Sequence, residues 1–179
     1  MAQFKAINAN VEVCGAAVLS VIEGMEEFKS VALEILAKHG VHNPARESWH
    51  RQQDWLDAFR MISEKIGPST LKAIGSKIPQ TALWPPDIKT IEEALASIDV
   101  AYHLNHRGGE IGHYRFEKTR ERSGQMLCDN PYPCAFDAGI IKSTTARFST
   151  KDVIVIVNHD DKKPCRQKGA DSCTYLISW

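Results

Sequence analysis

The sequence predicts an α+β domain in which a helical part, residues 1–107, packs on a small antiparallel sheet formed by residues 108–179. Before residue 108, apolar residues recur every three or four positions and Pro or Gly ends each run, which is typical of amphipathic helices. After Gly108, short β-branched segments surround one helical segment and give the order β-β-α-β-β. Because 179 residues suffice for one sizeable core, we expect a single domain spanning 1–179.

The helical part divides into five predicted helices. Two of them have clear starts, since Ser48 and Asp87 are side chains that commonly cap a helix amino terminus. Gly and Pro residues provide the stops, for example Gly67 followed by Pro68. The predicted helices cover 11–25, 26–39, the segment from Ser48 to Ile66, 69–77, and the segment from Asp87 through Tyr102 towards His106.

The carboxyl-terminal part begins with a predicted hairpin in "GHYRFEKTRERSGQMLCDN", with the dipeptide Ser123-Gly124 as its turn. A helix is predicted in "CAFDAGIIKSTTARF", where apolar residues return to helical spacing. The β-branched segment "KDVIVIVNHD" and the final "CTYLISW" are predicted strands, and the loop "DKKPCRQKGADS" joins them.

Composition excludes several classes of function. Lys plus Arg and Asp plus Glu both total 22, so the net charge is zero and we expect no nucleic-acid partner. No apolar run approaches the roughly 20 residues that span a bilayer, and the start of the chain lacks a secretory signal. We therefore expect a cytoplasmic protein without a membrane partner. In such a reducing compartment, five cysteines favour metal binding or redox chemistry over disulfides.

Catalytic motifs are missing from the sequence. "RGGEIG" lacks the Gly-x-Gly-x-x-Gly spacing of a dinucleotide site, and neither a Walker motif, a Gly-x-Ser-x-Gly elbow nor a His-Glu-x-x-His pair occurs. Asp137 and Glu110 are candidate acids in a pocket, but carboxylates near helix ends are usually capping or solvated, and that is the expectation for both. We therefore expect a binding or sensor domain rather than an enzyme, and assign no catalytic residue. The aromatic residues expected to build the core or line a ligand cavity are Trp49, Trp55, Phe59 and Trp84.

A histidine-rich segment, "AYHLNHRGGEIGHY", supplies candidates for binding a cofactor or ligand: His103, His106, His113 and Tyr114. His106 follows Tyr102 by four residues, so it faces inward if the helix continues that far. A buried imidazole there is suited to ligating a metal or haem. The alternative is that these histidines are helix-end or core residues with satisfied hydrogen bonds.

The carboxyl-terminal third, residues 108–179, resembles the 4-vinyl reductase-type domain, a small-molecule-binding module. The resemblance rests on a hairpin, a Gly-containing helix, and two strands joined by a loop of the form Cys, seven residues, Cys. This family shares its fold with haem-binding nitric oxide sensor domains and with subunits of a Golgi tethering complex. The resemblance implies a sensor domain that binds an apolar or tetrapyrrole-like ligand and passes a signal to a partner or a fused output domain. A tetrapyrrole vinyl-group reductase is the alternative, and whether the chain forms a homodimer stays open.

The resemblance also implies a metal site. In aromatic-sensing regulators of the family, three cysteines and one acidic residue hold zinc, and these cysteines correspond to Cys134, Cys165 and Cys173, with Cys128 as a second candidate for the first. Lys162 stands where the acidic ligand is expected, so His159 is the first substitute, before Asp160 and Asp161. Cys14 is expected in the core. Zinc is the expected metal, and haem or an iron–sulfur cluster are the alternatives.

Haem of the nitric oxide sensor type is disfavoured by two replacements within one motif. In those sensors a Tyr-x-Ser-x-Arg motif binds the haem propionates. The matching stretch here is "YRFEK", in which Phe116 and Lys118 replace Ser and Arg. A different haem site using His103 or His106 is still open.

Overall fold

The computed structural model describes residues 3–150 and 152–179, so Lys151, the first residue of one predicted strand, lies outside the described residues. The described residues form six α-helices and two antiparallel sheets, which confirms the predicted α+β class. The helices are α1 (Gly15–Gly24), α2 (Lys29–Lys38), α3 (Gln52–Lys65), α4 (Pro68–Thr81), α5 (Ile91–Leu104) and α6 (Cys134–Arg147). The strands are β1 (Glu12–Cys14), β2 (Trp49–Arg51), β3 (His106–Arg107), β4 (Tyr114–Arg120), β5 (Ser123–Cys128), β6 (Ile156–His159) and β7 (Cys173–Ser178).

A three-stranded sheet of order β2-β1-β3 lies in the part that was expected to be helical. The predicted helix over 11–25 is wrong at its start, because Glu12–Cys14 pairs with Trp49–Arg51 on one side and with His106–Arg107 on the other. The predicted cap at Ser48 is also wrong. Its hydroxyl donates to the carbonyl oxygen of Ala45 at 2.7 Å, and β2 separates it from α3.

Helix α5 begins later than predicted. Asp87 has a positive φ of 64° and does not cap the helix. Instead Thr90 and Glu93 form a capping box, in which each side chain accepts a hydrogen bond from the backbone N–H of the other. The helix ends at Leu104, so His106 belongs to β3 rather than to a longer helix.

The carboxyl-terminal part has the predicted β-β-α-β-β order, and its four strands form a sheet of order β4-β5-β7-β6. The hairpin turn lies at Glu121 and Arg122, with Arg122 at a φ of 57°, and not at Ser123-Gly124, which already belongs to β5. In the register of β5 and β7, Cys128 is opposite Cys173.

Helices α4 and α6 cross at very close range through two glycines. A Cβ on Gly75 would clash with the backbone carbonyl of Phe136, and a Cβ on Gly139 would clash with that of Lys72. Only glycine permits this approach of two backbones. The contact fixes the start of α6, and therefore the position of Cys134 and Asp137, against the helical part.

Candidate metal centre and interior cavity

Four side chains from separate elements meet at one end of the four-stranded sheet. Cys134 is the first residue of α6, and His159 is the last residue of β6. Cys165 lies in the loop between β6 and β7, and Cys173 is the first residue of β7. One ligand atom from each side chain lies within 4.8 Å of the others. These are the four residues that were predicted as a metal site.

Two of the three sulfur pairs have the spacing of a tetrahedral metal site, and the remaining pair is closer together. Cys134 Sγ lies 3.3 Å from Cys173 Sγ and 3.7 Å from Cys165 Sγ, and the third sulfur pair is 3.8 Å apart. Sulfurs held about 2.3 Å from one tetrahedral zinc ion lie about 3.8 Å from one another. A disulfide needs about 2.05 Å, and all three cysteines are free thiols. The thiols are therefore spaced for a shared ion and not for a covalent bond.

His159 supplies the fourth ligand atom. Its Nδ1 lies 3.0 Å from the Asp161 carboxylate, so that nitrogen carries the proton and donates it. Its Nε2 is buried and has no hydrogen-bond partner among the described residues. A buried polar atom without a partner is costly, and coordination by a metal would satisfy it. A carboxylate on the far nitrogen is also how metal-bound histidines are commonly oriented.

Cys173 is the thiol most favoured as a thiolate. The hydrogen bond from the Cys134 thiol lowers the pKa of Cys173, and Arg166, whose Nε lies 3.4 Å from the Cys173 sulfur, lowers it further against the opposing effect of burial. The backbone N–H of Arg166 also donates to this sulfur, at 3.3 Å. Metal ligation requires the thiolate, so these donors prepare the site for a cation.

A buried ion pair supports the metal centre from inside. The Arg166 guanidinium binds the Asp137 carboxylate, and both side chains are fully buried. Asp137 also accepts a hydrogen bond of 2.6 Å from the Tyr114 hydroxyl, while Arg166 donates to the Asn130 side-chain oxygen at 2.5 Å. The expectation that Asp137 is a capping or solvated carboxylate is therefore wrong. Sequence reasoning missed Arg166 altogether, since it lies in a charged loop that appears solvent-exposed in the sequence.

The interior holds a small cavity of about 40 Å³ between the helices and the sheet. Its walls are mainly apolar and aromatic, and include Trp55, Trp84, Tyr102, Tyr132 and Phe136. One water molecule needs about 10–15 Å³ of such space, so the cavity accepts only two to four small atoms. It is smaller than the engineered cavities of about 150 Å³ that bind benzene.

His106 lies at the cavity wall with both ring nitrogens occupied. Its Nδ1 donates to the backbone carbonyl of Tyr102 at 2.7 Å, so its Nε2 accepts the hydroxyl hydrogen of Tyr132, also at 2.7 Å. Gln52 in turn donates to the Tyr132 oxygen at 3.1 Å. Burial lowers the pKa of His106 to about 4, so the ring is neutral at physiological pH. The inward orientation of His106 is as expected, although a strand and not a helix provides it.

The four residues predicted to bind a cofactor do not form one site. His106 and Tyr114 line the cavity, whereas His103 and His113 lie outside it, half-exposed beside Asp99.

The other candidate residues lie outside both sites or in the core. Cys128 is buried opposite Cys173 but does not belong to the group of four, and Cys14 is buried in the core as expected. Of the remaining aromatic and acidic candidates, Phe59 is buried in the core, Trp49 is half-buried under the Arg107 guanidinium, and Glu110 is exposed.

Comparison with solved structures shows an H-NOX-like fold. The chain is similar to an H-NOX protein from S. oneidensis in the Fe(II) ligation state, with a TM-score of 0.68, 14% identity, and 92% of this chain and 95% of that chain covered. The unliganded Fe(II) H-NOX protein from K. algicida gives a TM-score of 0.59, 14% identity, and coverage of 92% and 95%. A structure concerned with how porphyrin distortion modulates haem redox potential gives 0.64, 11% identity, and coverage of 93% and 99%.

The sequence comparisons found no match. No family model and no curated protein matches the chain, so the resemblance to the 4-vinyl reductase-type domain stays a prediction. Within 3–150 and 152–179, no helix is long and apolar enough to cross a membrane.

Proposed function

We propose that this chain is a sensor domain of the H-NOX-like fold, stabilised by zinc at Cys134, His159, Cys165 and Cys173, that receives a small apolar ligand in its interior cavity. One observation carries the zinc site. Three sulfurs lie 3.3, 3.7 and 3.8 Å apart, beside a buried imidazole nitrogen with no hydrogen-bond partner in the part of the chain that the structure describes. The expected cytoplasmic location belongs to the same proposal, because a reducing compartment keeps these thiols free.

Zinc in this site has a structural role. Four protein ligands leave no open coordination position, so the ion does not activate water. It joins the start of α6 to the ends of β6 and β7 and to the loop between those strands. The ion would add to the buried hydrogen bonds that already link these elements, such as the one from the Tyr175 hydroxyl to the Cys134 carbonyl.

Haem does not fit the residues present. A pocket that buries a drug-sized ligand holds about 300–1,000 Å³, and the cavity here is about 40 Å³ because Trp55, Tyr132 and Phe136 occupy the interior. His106 already uses both ring nitrogens, and Lys118, which replaces the propionate-binding Arg, is exposed and paired with Glu92. For the haem-based gas sensor and the tetrapyrrole reductase, the interior cavity therefore lacks the space that a tetrapyrrole requires.

A ligand in the cavity has a direct connection to the metal centre. Tyr114 lines the cavity and donates to Asp137, Asp137 pairs with Arg166, and Arg166 donates to Cys173. Each contact in this series is buried, so displacing the Tyr114 ring changes the environment of a zinc ligand. A signalling partner or fused output domain would respond to that change.

The zinc proposal is tested by metal analysis and an absorbance spectrum of the purified protein. We expect one equivalent of zinc and no Soret band. Cys165→Ser should lose the zinc and lower the melting temperature, since breaking a structural site removes its folding free energy. Cys14→Ser is the matched control: Cys14 donates to the Arg46 carbonyl outside the site, and the hydroxyl keeps that bond. Haem in the purified protein, or unchanged zinc content in Cys165→Ser, would refute the proposal.

The cavity is tested separately with xenon, an apolar probe of suitable size. We expect xenon-dependent chemical-shift changes at residues that line the cavity, and their loss in Ala101→Leu, which fills it. The control is Val100→Leu, because Val100 is exposed on the same helix. Equal shift changes in both variants would contradict the ligand proposal and leave the zinc proposal untouched.

A further inference from the structure

We propose a second divalent-cation site, formed by Asp99, His103 and His113 on the surface beside the end of α5. One ligand atom from each residue lies within 4.8 Å of the other two. Asp99 and His103 are four residues apart on α5 and so lie on the same face of the helix. His113 comes from the loop before β4 and lies 3.3 Å from the Asp99 carboxylate through its Nδ1.

Backbone contacts hold two of these three side chains in place. The Asp99 Oδ1 accepts the backbone N–H of Tyr114 at 2.8 Å, which fixes the carboxylate and leaves Oδ2 directed towards the histidines. The backbone N–H of His113 donates to Asp129 at 2.8 Å, and Gly112 permits the turn with a φ of 79°. The loop that carries His113 is therefore anchored on both sides, which lowers the ordering cost of binding an ion.

The tautomer of His103 favours ligation. Its Nδ1 lies 2.8 Å from the backbone carbonyl of Asp99, so that nitrogen donates and Nε2 keeps its lone pair free. An imidazole held by its far nitrogen is the usual arrangement around a bound metal. The rings of His103 and His113 lie 5.1 Å apart between centroids, tilted by 36°, so both can contribute to one ion.

Two imidazoles and one carboxylate are a donor set for zinc, nickel, cobalt or ferrous iron, and unlike the thiolate site they do not select soft ions. Three protein ligands leave coordination positions open to water. The side chains of His103, His113 and Asp99 are 43%, 36% and 31% exposed, so an ion reaches the site directly from solvent. An ion bound at this site can therefore exchange with solvent, whereas the zinc centre has four protein ligands and no open coordination position.

Cation binding here would attach the last turns of α5 to the start of β4. The neighbouring residues Tyr102 and Tyr114 line the cavity, and Tyr102 lies next to His103 on α5. The ion would thus hold together two elements that each contribute a wall residue to the cavity. The site itself is independent of the zinc proposal, because it shares no residue with the cysteine cluster.

The test uses the full, untagged chain with its zinc bound, titrated with Ni²⁺ by calorimetry. We expect one equivalent of Ni²⁺ to bind, and Asp99→Asn and His103→Ala each to weaken that binding at least tenfold. Asp99→Asn keeps an oxygen that can accept the Tyr114 N–H, so it should fold normally. His42→Ala is the control, since His42 is exposed and far from the site in the sequence.

Three results would overturn the proposal. The zinc-loaded wild type binds no Ni²⁺, or all three variants bind Ni²⁺ equally. The third is thiolate-to-nickel charge-transfer absorbance, which would show that Ni²⁺ enters only the cysteine site. The melting temperature and zinc content of each variant are measured in parallel. Normal values with weakened Ni²⁺ binding assign the loss to the site and not to misfolding.

Discussion

Replacing Arg166 by Met tests the buried ion pair that supports the metal centre. Arg166 and Asp137 are both fully buried, and the substitution removes the only cation paired with the Asp137 carboxylate among the described residues. The carboxylate would then remain in the core with only the Tyr114 hydroxyl as partner. The Asn130 side-chain oxygen would lose one of its two donors and keep the backbone N–H of Tyr132.

The expected cost is large. Removing one partner of a buried pair typically destabilises a protein by about 3–5 kcal/mol, because an uncompensated charge is left behind. For a domain of this size, 1 kcal/mol corresponds to roughly 2–4 °C, so the melting temperature should fall by about 6–20 °C. In the double variant Arg166→Met/Asp137→Asn, the charge is gone and Tyr114 keeps an acceptor. We expect it to recover about half or more of the loss.

The assay is urea denaturation of the wild type, both single variants and the double variant in a double-mutant cycle. Each is measured with excess zinc and again after chelation, because Arg166 also contacts Cys173. A loss below about 1 kcal/mol for Arg166→Met, or additive effects in the cycle, would refute the reasoning, since residues in contact should couple by roughly 0.5–3 kcal/mol.

Three further predictions follow from other contacts. Asp161→Asn should weaken zinc binding about 10–100-fold in a chelator competition, because Asp161 orients His159, while Asp160→Asn should leave it unchanged. Gly75→Ala should destabilise the protein by about 1–3 kcal/mol in urea denaturation, because its Cβ would clash with the α6 backbone. The control Lys142→Ala changes an exposed residue and should alter stability by less than about 0.5 kcal/mol. Equal effects of the two substitutions would contradict the close packing of α4 on α6. His106, with a folded pKa of about 4 against 6.5 unfolded, contributes stability that is complete above pH 6.5 and is lost as the pH falls towards 4. Between pH 6.5 and pH 4, the wild type should therefore lose up to about 3 kcal/mol of stability relative to His106→Gln. A stability difference that does not change with pH would show that the ring is not buried as a neutral group.

The β-β-α-β-β part could be predicted from the sequence because its signals are local. A β-branched run, a glycine-punctuated helix and a final strand are each visible within about ten residues. The sheet of β1, β2 and β3 could not be predicted in the same way. Its strands have two or three residues, and Glu12–Cys14 becomes a strand only because segments about 40 and 95 residues away pair with it.

The candidate site was only partly accessible to sequence reasoning. The cysteine spacing and the family resemblance pointed to the four residues that converge, whereas their geometry depends on the crossing of α4 and α6. Asp137 was misjudged because a carboxylate near a helix start is usually solvated, and its partner Arg166 lies 29 positions away. Asp99 was overlooked for a similar reason: within α5 it has the spacing of an ordinary surface residue.

The glycine crossing of α4 and α6 has a consequence for how a signal can travel. Gly24 of α1 also lies close to the backbone of Ile74 in α4, so three helices are interlocked mainly through backbone contacts. Such a block moves as one body or not at all, and it carries Cys134 at one corner. The side chains of Phe136 and Ile140 in the block can still adjust to an occupied cavity, but a backbone displacement is then expected in α5 and its flanking loops.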